Sequence, residues 1–355
     1  MRLSFAFRLS AISLAMTGLF VSTAVSAQSL EDRIRSLESQ IGQMESTPGQ
    51  GSGGAVEIYG SLRTFATYQS VDSDLGDDSS TDINDAASRI GIRTSTSHGD
   101  WTATARGEWA VRIGGNADFG DGRLAYVQVG HKALGKIGVG QQWGGFYNHV
   151  GAVTDIGNNG TPGGYSAIGG GFRLGNLISY TNSIGPVAIQ VDNQFDGEDD
   201  TSSTSNNRDN LELYGLSASI SESNCTVGVA YQERKLDDSN GSDKLAGIAV
   251  GYKFGSAYIS ASYVDRDNAT GADPKAYDLS GSYSMGKNTL IGHYYNLDTD
   301  NAAGDKTNGV LLSVQHQMND QLRLWTSLRL DDADTDNKET TSVDFGMRYD
   351  FSMSL

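Results

Sequence analysis

The chain has 355 residues and carries 43 acidic against 26 basic side chains, a net charge of −17. So acidic a chain excludes nucleic acid as a partner gripped through its phosphates. Its single cysteine, Cys225, excludes an intrachain disulfide, so the fold must hold without that staple.

The N-terminus reads as an export signal. Arg2 and Arg8 supply positive charge, Leu9 to Val25 is mostly apolar, and Val25-Ser26-Ala27 is a small-residue cleavage site. Removal of residues 1–27 takes away two Arg and no acid, leaving 24 basic against 43 acidic residues, net −19. Residues 28–45 follow as a short helical segment, with Leu30, Ile34, Leu37, Ile41 and Met44 on an a/d seam that predicts a coiled coil, the alternative being a single amphipathic helix lying on the barrel or the membrane. About two heptads are too few to be stable alone, so a host must hold the chains together. Residues 46–55 are a Gly/Ser linker.

From residue 56 to 355 the pattern is all-β. Short strands alternate apolar with polar residues and predict a transmembrane antiparallel β-barrel of about 16 strands. The predicted spans are 56–69, 86–98, 100–114, 122–133, 135–148, 171–182, 184–196, 210–222, 224–236, 243–255, 256–267, 274–286, 288–300, 306–318, 320–332 and 340–355. Short turns such as Glu222-Ser223-Asn224 alternate with longer, Asp-rich connections, as periplasmic turns alternate with external loops in such barrels. Within 100–114, Trp101, Ala103, Ala105, Trp109, Val111 and Ile113 share one parity, and Thr102, Thr104, Arg106, Glu108 and Arg112 the other. Because Arg facing lipid at mid-depth costs about 2–4 kcal/mol, the charged parity must line water or protein. Tyr59, Tyr68, Tyr252, Tyr263, Tyr277, Tyr283, Tyr349 and Phe351 are expected in interfacial girdles.

Catalytic and metal signatures are weak. The five histidines lack HExxH or CxxC spacing, and Ser166 in GYSAIG misses the nucleophile-elbow pattern. Asp332, Asp334 and Asp336 begin like a calcium loop, but Asn337 replaces the required Gly, so the Asp-rich loops are read as solvated surface. No enzyme activity, cofactor or metal site is expected.

Several strings complete the picture: VEIYGSLR at 56–63, SRIGIR at 88–93, GRLAYVQVG at 122–130, GKIGVGQQWGGFY at 135–147, FRLGNLISYTN at 172–182 and FGMRYDF at 345–351. In this order and spacing they resemble the general trimeric porins of Gram-negative bacterial outer membranes. The resemblance implies a homotrimer among outer-membrane lipid and lipopolysaccharide. Each subunit would hold a water-filled channel for passive diffusion of ions and small hydrophilic solutes. A third loop, here about 144–171, would fold inward to narrow it. Carried over by position, the basic wall of the constriction falls on Arg89, Arg123 and Arg173, and Arg93, which shares the parity of Arg89, extends the cluster. The first-strand basic position falls on Ser61, and Arg63 is the substitute one lumen position later. The loop lacks the Pro-Glu-Phe-Gly signature of the family, and Asp155 is its one acid. A substrate-selective porin, for example for oligosaccharides, is the alternative, with Phe146, Tyr147, Tyr165 and Phe172 as rings on which sugars would stack. Family members end on an aromatic, whereas this chain adds Ser352 to Leu355, whose apolar parity reads as a longer last strand.

Overall fold

The computed structural model describes residues 54–114, 118–158, 163–168, 172–195, 212–236, 241–300 and 304–355. The signal, the helical segment and all of the linker before residue 54 lie outside the described residues.

The wall begins with β1 (Ala55–Asp72), β2 (Asp78–Asp85), β3 (Arg89–His98) and β4 (Trp101–Val111). It continues through β5 (Phe119–His131), β6 (Gly135–Trp143), β7 (Arg173–Ile184) and β8 (Val187–Gln194). Next come β9 (Leu213–Glu222), β10 (Cys225–Lys235), β11 (Ser242–Phe254) and β12 (Ala257–Asp267). The last five are β13 (Lys275–Met285), β14 (Asn288–Asp298), β15 (Lys306–Gln317), β16 (Leu322–Ala333) and β17 (Lys338–Ser354). All neighbours pair antiparallel, and β1 pairs β17 from Glu57↔Ser354 to Asp72↔Glu339, so the sheet closes on itself. Closure satisfies every edge, the condition for a sheet to sit in lipid.

Each predicted span meets one strand, and β2 lies between the first two spans. It shares a single wall position with β3. β1 pairs β2 over Thr64↔Asp85 to Val71↔Asp78, and pairs β3 over Ala55↔Ser95 to Ser61↔Arg89. Seventeen elements therefore make a barrel of sixteen strands. Between Thr64↔Asp85 and Ser61↔Arg89, β1 advances three residues and the facing chain four. That extra residue is a bulge, with Ala87 at φ +66°. Ser88 pins it: its hydroxyl donates to the Arg63 carbonyl at 3.0 Å and accepts the Arg63 N–H at 2.7 Å.

Parity sorts the faces as the alternation predicts. Along β17, Val343, Phe345, Met347, Tyr349 and Met353 are exposed on the outer surface, while Asp344 is buried and Arg348 and Asp350 pair on the inner one. Tyr252, Phe254, Tyr283 and Tyr349 lie outward near the short-turn ends of their strands, and Tyr214, Tyr231 and Tyr277 near the long-loop ends. Tyr59 departs from the girdle expectation. It points inward, its hydroxyl donating to Glu108 Oε2 at 2.9 Å. The last strand does run past Phe351 to Ser354, and Leu355 and Val56 exchange backbone hydrogen bonds.

Candidate functional site

The connection after β6 does not stand out from the wall; it folds into the barrel. Phe146, Val150, Val153, Tyr165 and Ile168 are buried against Ala230, Leu245, Ala249, Val264 and Ala276 of β10 to β13. Small wall residues make room for it. A Cβ on Gly228 would strike the His149 carbonyl, and one on Gly247 would strike the Phe146 ring. Polar anchors then fix the loop along its length. The Gly145 N–H donates to Asp192 at 2.6 Å, Tyr258 to the Val153 carbonyl at 2.8 Å, and Ser280 to the Thr154 carbonyl at 3.0 Å. At the start of the helical turn Gly163–Ile168, the Gly164 and Tyr165 N–H groups donate to the two oxygens of Asp278, at 3.0 and 2.9 Å. Asp278 is 2% exposed and also meets His293 Nε2 at 3.0 Å.

The opposite inner wall is basic. Arg63 on β1 faces Arg348 on β17 in register, and Arg348 faces Arg323 on β16. Arg63 lies within the fields of Arg89, Arg348 and Arg123, Arg89 within those of Arg123 and Arg348, and Arg173 within those of Arg123 and Arg89. The predicted Arg63, Arg89, Arg123 and Arg173 therefore form one band. Arg63 is bonded through Nε at 2.9 Å to the hydroxyl of Ser61, the residue on which the first-strand basic position falls. Arg93 stands four residues below Arg89, about 13 Å along the strand, and is paired with Glu57 at 3.1 Å.

Two of the band's members depend on local register. Arg123 shares the parity of Ala125, Val127 and Val129, of which Val127 is exposed on the outer surface. The β4–β5 pairing skips from Glu108↔Leu124 to Trp109↔Gly122, and the extra residue is Arg123. The bulge turns it inward, where its Nε donates to Glu108 Oε1 at 2.8 Å. Arg173 follows a second shift, between Gly140 and Gln142 in the β6–β7 pairing, and lies over the Trp143 ring at 5.2 Å.

Sequence reasoning missed Glu108, Arg106, Arg323, Arg348 and Asp350 as site residues, although parity alone places Arg106 and Glu108 on the wet face. Glu108 is 1% exposed and accepts from Arg123, Arg106 and Tyr59. Asp350 accepts from Arg348 at 2.8 Å and from Arg323 at 3.5 Å. Seven arginines thus face two carboxylates on this wall. Among the described residues no carboxylate forms a hydrogen bond or ion pair with Arg63, Arg89 or Arg173, and Glu108 and Asp350 act on them only through space.

Across the gap, Asp155 on the inward connection accepts from the Tyr147 hydroxyl at 2.8 Å. Burial raises its carboxyl above the usual range, opposed by that hydrogen bond and by the charges of Arg63 and His293. The loop acid therefore lies within the field of Arg63 on the opposite wall. Of the four rings weighed for stacking sugars, Phe146 and Tyr165 are 3% and 1% exposed and belong to the loop's packing. Tyr147 stacks on Trp143 at 4.5 Å and meets Phe172 edge-on at 5.3 Å. No group of acidic, histidine or cysteine residues fit to hold a metal occurs among the described residues.

A profile of the Gram-negative porin family matches residues 11–337. No curated protein matches the sequence. Among solved structures, the anion-selective porin from Comamonas acidovorans superposes with a TM-score of 0.69, at 19% identity over 84% of this chain and 100% of its own. The trimer form of OmpT from Vibrio cholerae gives 0.67, at 16% identity over 84% and 100%. OmpF of Salmonella typhi, in complex with daunomycin, gives 0.64 at 16% identity over 84% and 98%. At these identities the likeness is one of fold.

Proposed function

The chain belongs to the Gram-negative porin family, and from that premise we propose that its barrel conducts small anions in preference to cations. The barrel is a channel of the outer membrane through which ions and small hydrophilic solutes diffuse. The observation that carries the selectivity is the wall of seven arginines against two carboxylates, opposed by one loop acid. A narrow passage with low-dielectric walls focuses such charge and concentrates the counter-ion. The eyelet of this reading lies between Asp155 and the arginines 63, 89, 123 and 173, with Arg93 below it. Acidic external loops attract cations at the mouth, but exposed charge is screened by salt within about 8–10 Å.

The same reading makes the protein a conduit rather than an enzyme, assembled as a homotrimer after loss of residues 1–27. The trimer form of the Vibrio OmpT supports the assembly by analogy of fold. Contact of the outer girdle and acidic loops with lipopolysaccharide completes the proposal. The oligosaccharide alternative is not favoured, because half of its stacking platform is buried in loop packing.

In planar bilayers under a KCl gradient, the reversal potential is expected to carry the chloride sign. A potassium sign would refute the assignment. Acidification supplies a further check. Because burial raises the Asp155 carboxyl, it is protonated at a higher pH than ordinary carboxylates. Preference for chloride is therefore expected to grow as pH falls, and to begin growing at higher pH in the wild type than in Asp155→Asn. Coincident titrations of the two would remove Asp155 from the eyelet.

A further inference from the structure

Below the arginine band the wall is not flat. Glu57, Tyr59, Arg89, Arg93, Arg106 and Asp350 help to line a hollow of about 270 Å³. Its origin lies in the β3 sequence. Arg89, Gly91 and Arg93 are successive inward positions, and the middle one has no side chain. The Tyr59 ring lies across that gap, where a Cβ on Gly91 would strike it. The ring is held from two sides: its hydroxyl donates to Glu108, and Arg106 Nε donates to the hydroxyl at 2.6 Å. Arg89 closes the top of the hollow, and Arg93 and Arg106, which face each other in register, close the bottom.

Both carboxylates of the lining are already engaged, Glu57 by Arg93 and Asp350 by Arg348 and Arg323. Arg106 is held by Tyr59 and Glu108. Arg89 keeps its fork of donors: among the described residues its side chain reaches only the Ala87 carbonyl, at 3.5 Å. A guanidinium withdrawn from bulk water needs acceptors, and its planar fork matches the paired oxygens of an oxyanion. We propose that this hollow is a binding site for a small oxyanion, a carboxylate or a phosphate. Such an anion would be gripped by Arg89 above and by Arg93 below, on the short-turn side of the eyelet.

This inference rests on the anion-conducting reading but is separable from it. The site stands below the constriction and depends on Arg93, which the constriction does not need. An anion leaving the eyelet would pause there, so the site acts as a saturable step in an otherwise diffusive path.

The test uses the full-length trimer in planar bilayers with chloride as the carrier. Inorganic phosphate or acetate is added at increasing concentration to the short-turn side. Saturable block of chloride current is expected, and which probe blocks at lower concentration tells phosphate from carboxylate as the preferred anion. Arg93→Gln is expected to raise the half-blocking concentration about tenfold, roughly 1.4 kcal/mol. Glu57→Gln frees Arg93 from its partner and is expected to lower the half-blocking concentration. A merely structural role for the pair would weaken block in both variants. Equal block in wild type, Arg93→Gln and Glu57→Gln overturns the site. A potassium-signed reversal potential in wild type overturns the parent reading instead.

Discussion

Replacing Arg89, Arg123 and Arg173 together by Gln is expected to lower the chloride-to-potassium permeability ratio by about tenfold or more, since a charged cleft changes local counter-ion concentration by 10–10³. The three changes act in the same direction twice. They remove positive charge from the band, and they strip Glu108 of Arg123, its partner at 2.8 Å. Arg106 and Tyr59 remain to hold that carboxylate, so the wall keeps its shape while its sign moves toward cations. The measurement is the reversal potential in a KCl gradient, with single-channel conductance as the control for intact barrels. An unchanged reversal potential in conducting channels would take these arginines out of the eyelet.

Asp278→Ala is expected to have the largest effect on conductance. It removes both acceptors that hold the start of Gly163–Ile168 and orphans the buried Gly164 and Tyr165 N–H groups. Each orphaned donor costs about 1–3 kcal/mol unless it finds water, and the cheapest remedy is for the loop to leave the wall. The passage then becomes variable in width. Single-channel records are expected to show noisy open states and altered mean conductance, with the heat stability of the barrel little changed. Asp278→Asn keeps one acceptor oxygen and is expected to fall between. Quiet, wild-type conductance in Asp278→Ala would show that Tyr258, Ser280 and Asp192 hold the loop without it.

The barrel was legible because its cause is repetitive. Strands alternate faces, turns are short on one side, and Arg cannot face lipid, so strand spans emerge from residues alone. The inward loop was legible only through resemblance, since nothing in its Gly- and Asn-rich sequence states which way it folds. The signal that could have found it lies on the wall: Gly228 and Gly247 occupy inward positions where the loop must pass. Arg123 was beyond a parity reading altogether. Its neighbours Ala125 and Val127 pull the alternation outward, and only pairing register exposes the extra residue. Glu108 was visible as a charged inward residue, but its embrace by Arg106, Arg123 and Tyr59 joins three strands, and such contacts are invisible along one chain.

The bulge at Ala87 has a consequence for how this wall tolerates change. On β2 the even positions face inward, as Asn84 does opposite Phe65, while on β3 the odd positions do, as Arg89 does opposite Ser61. Three residues, pinned by Ser88, reset the phase between an outer arm and an inner one. The outer arm is thereby insulated: it can lengthen, shorten or slip in the course of evolution without rotating Arg89, Gly91 and Arg93 toward the oily side. Rim and throat can drift independently on a single ribbon.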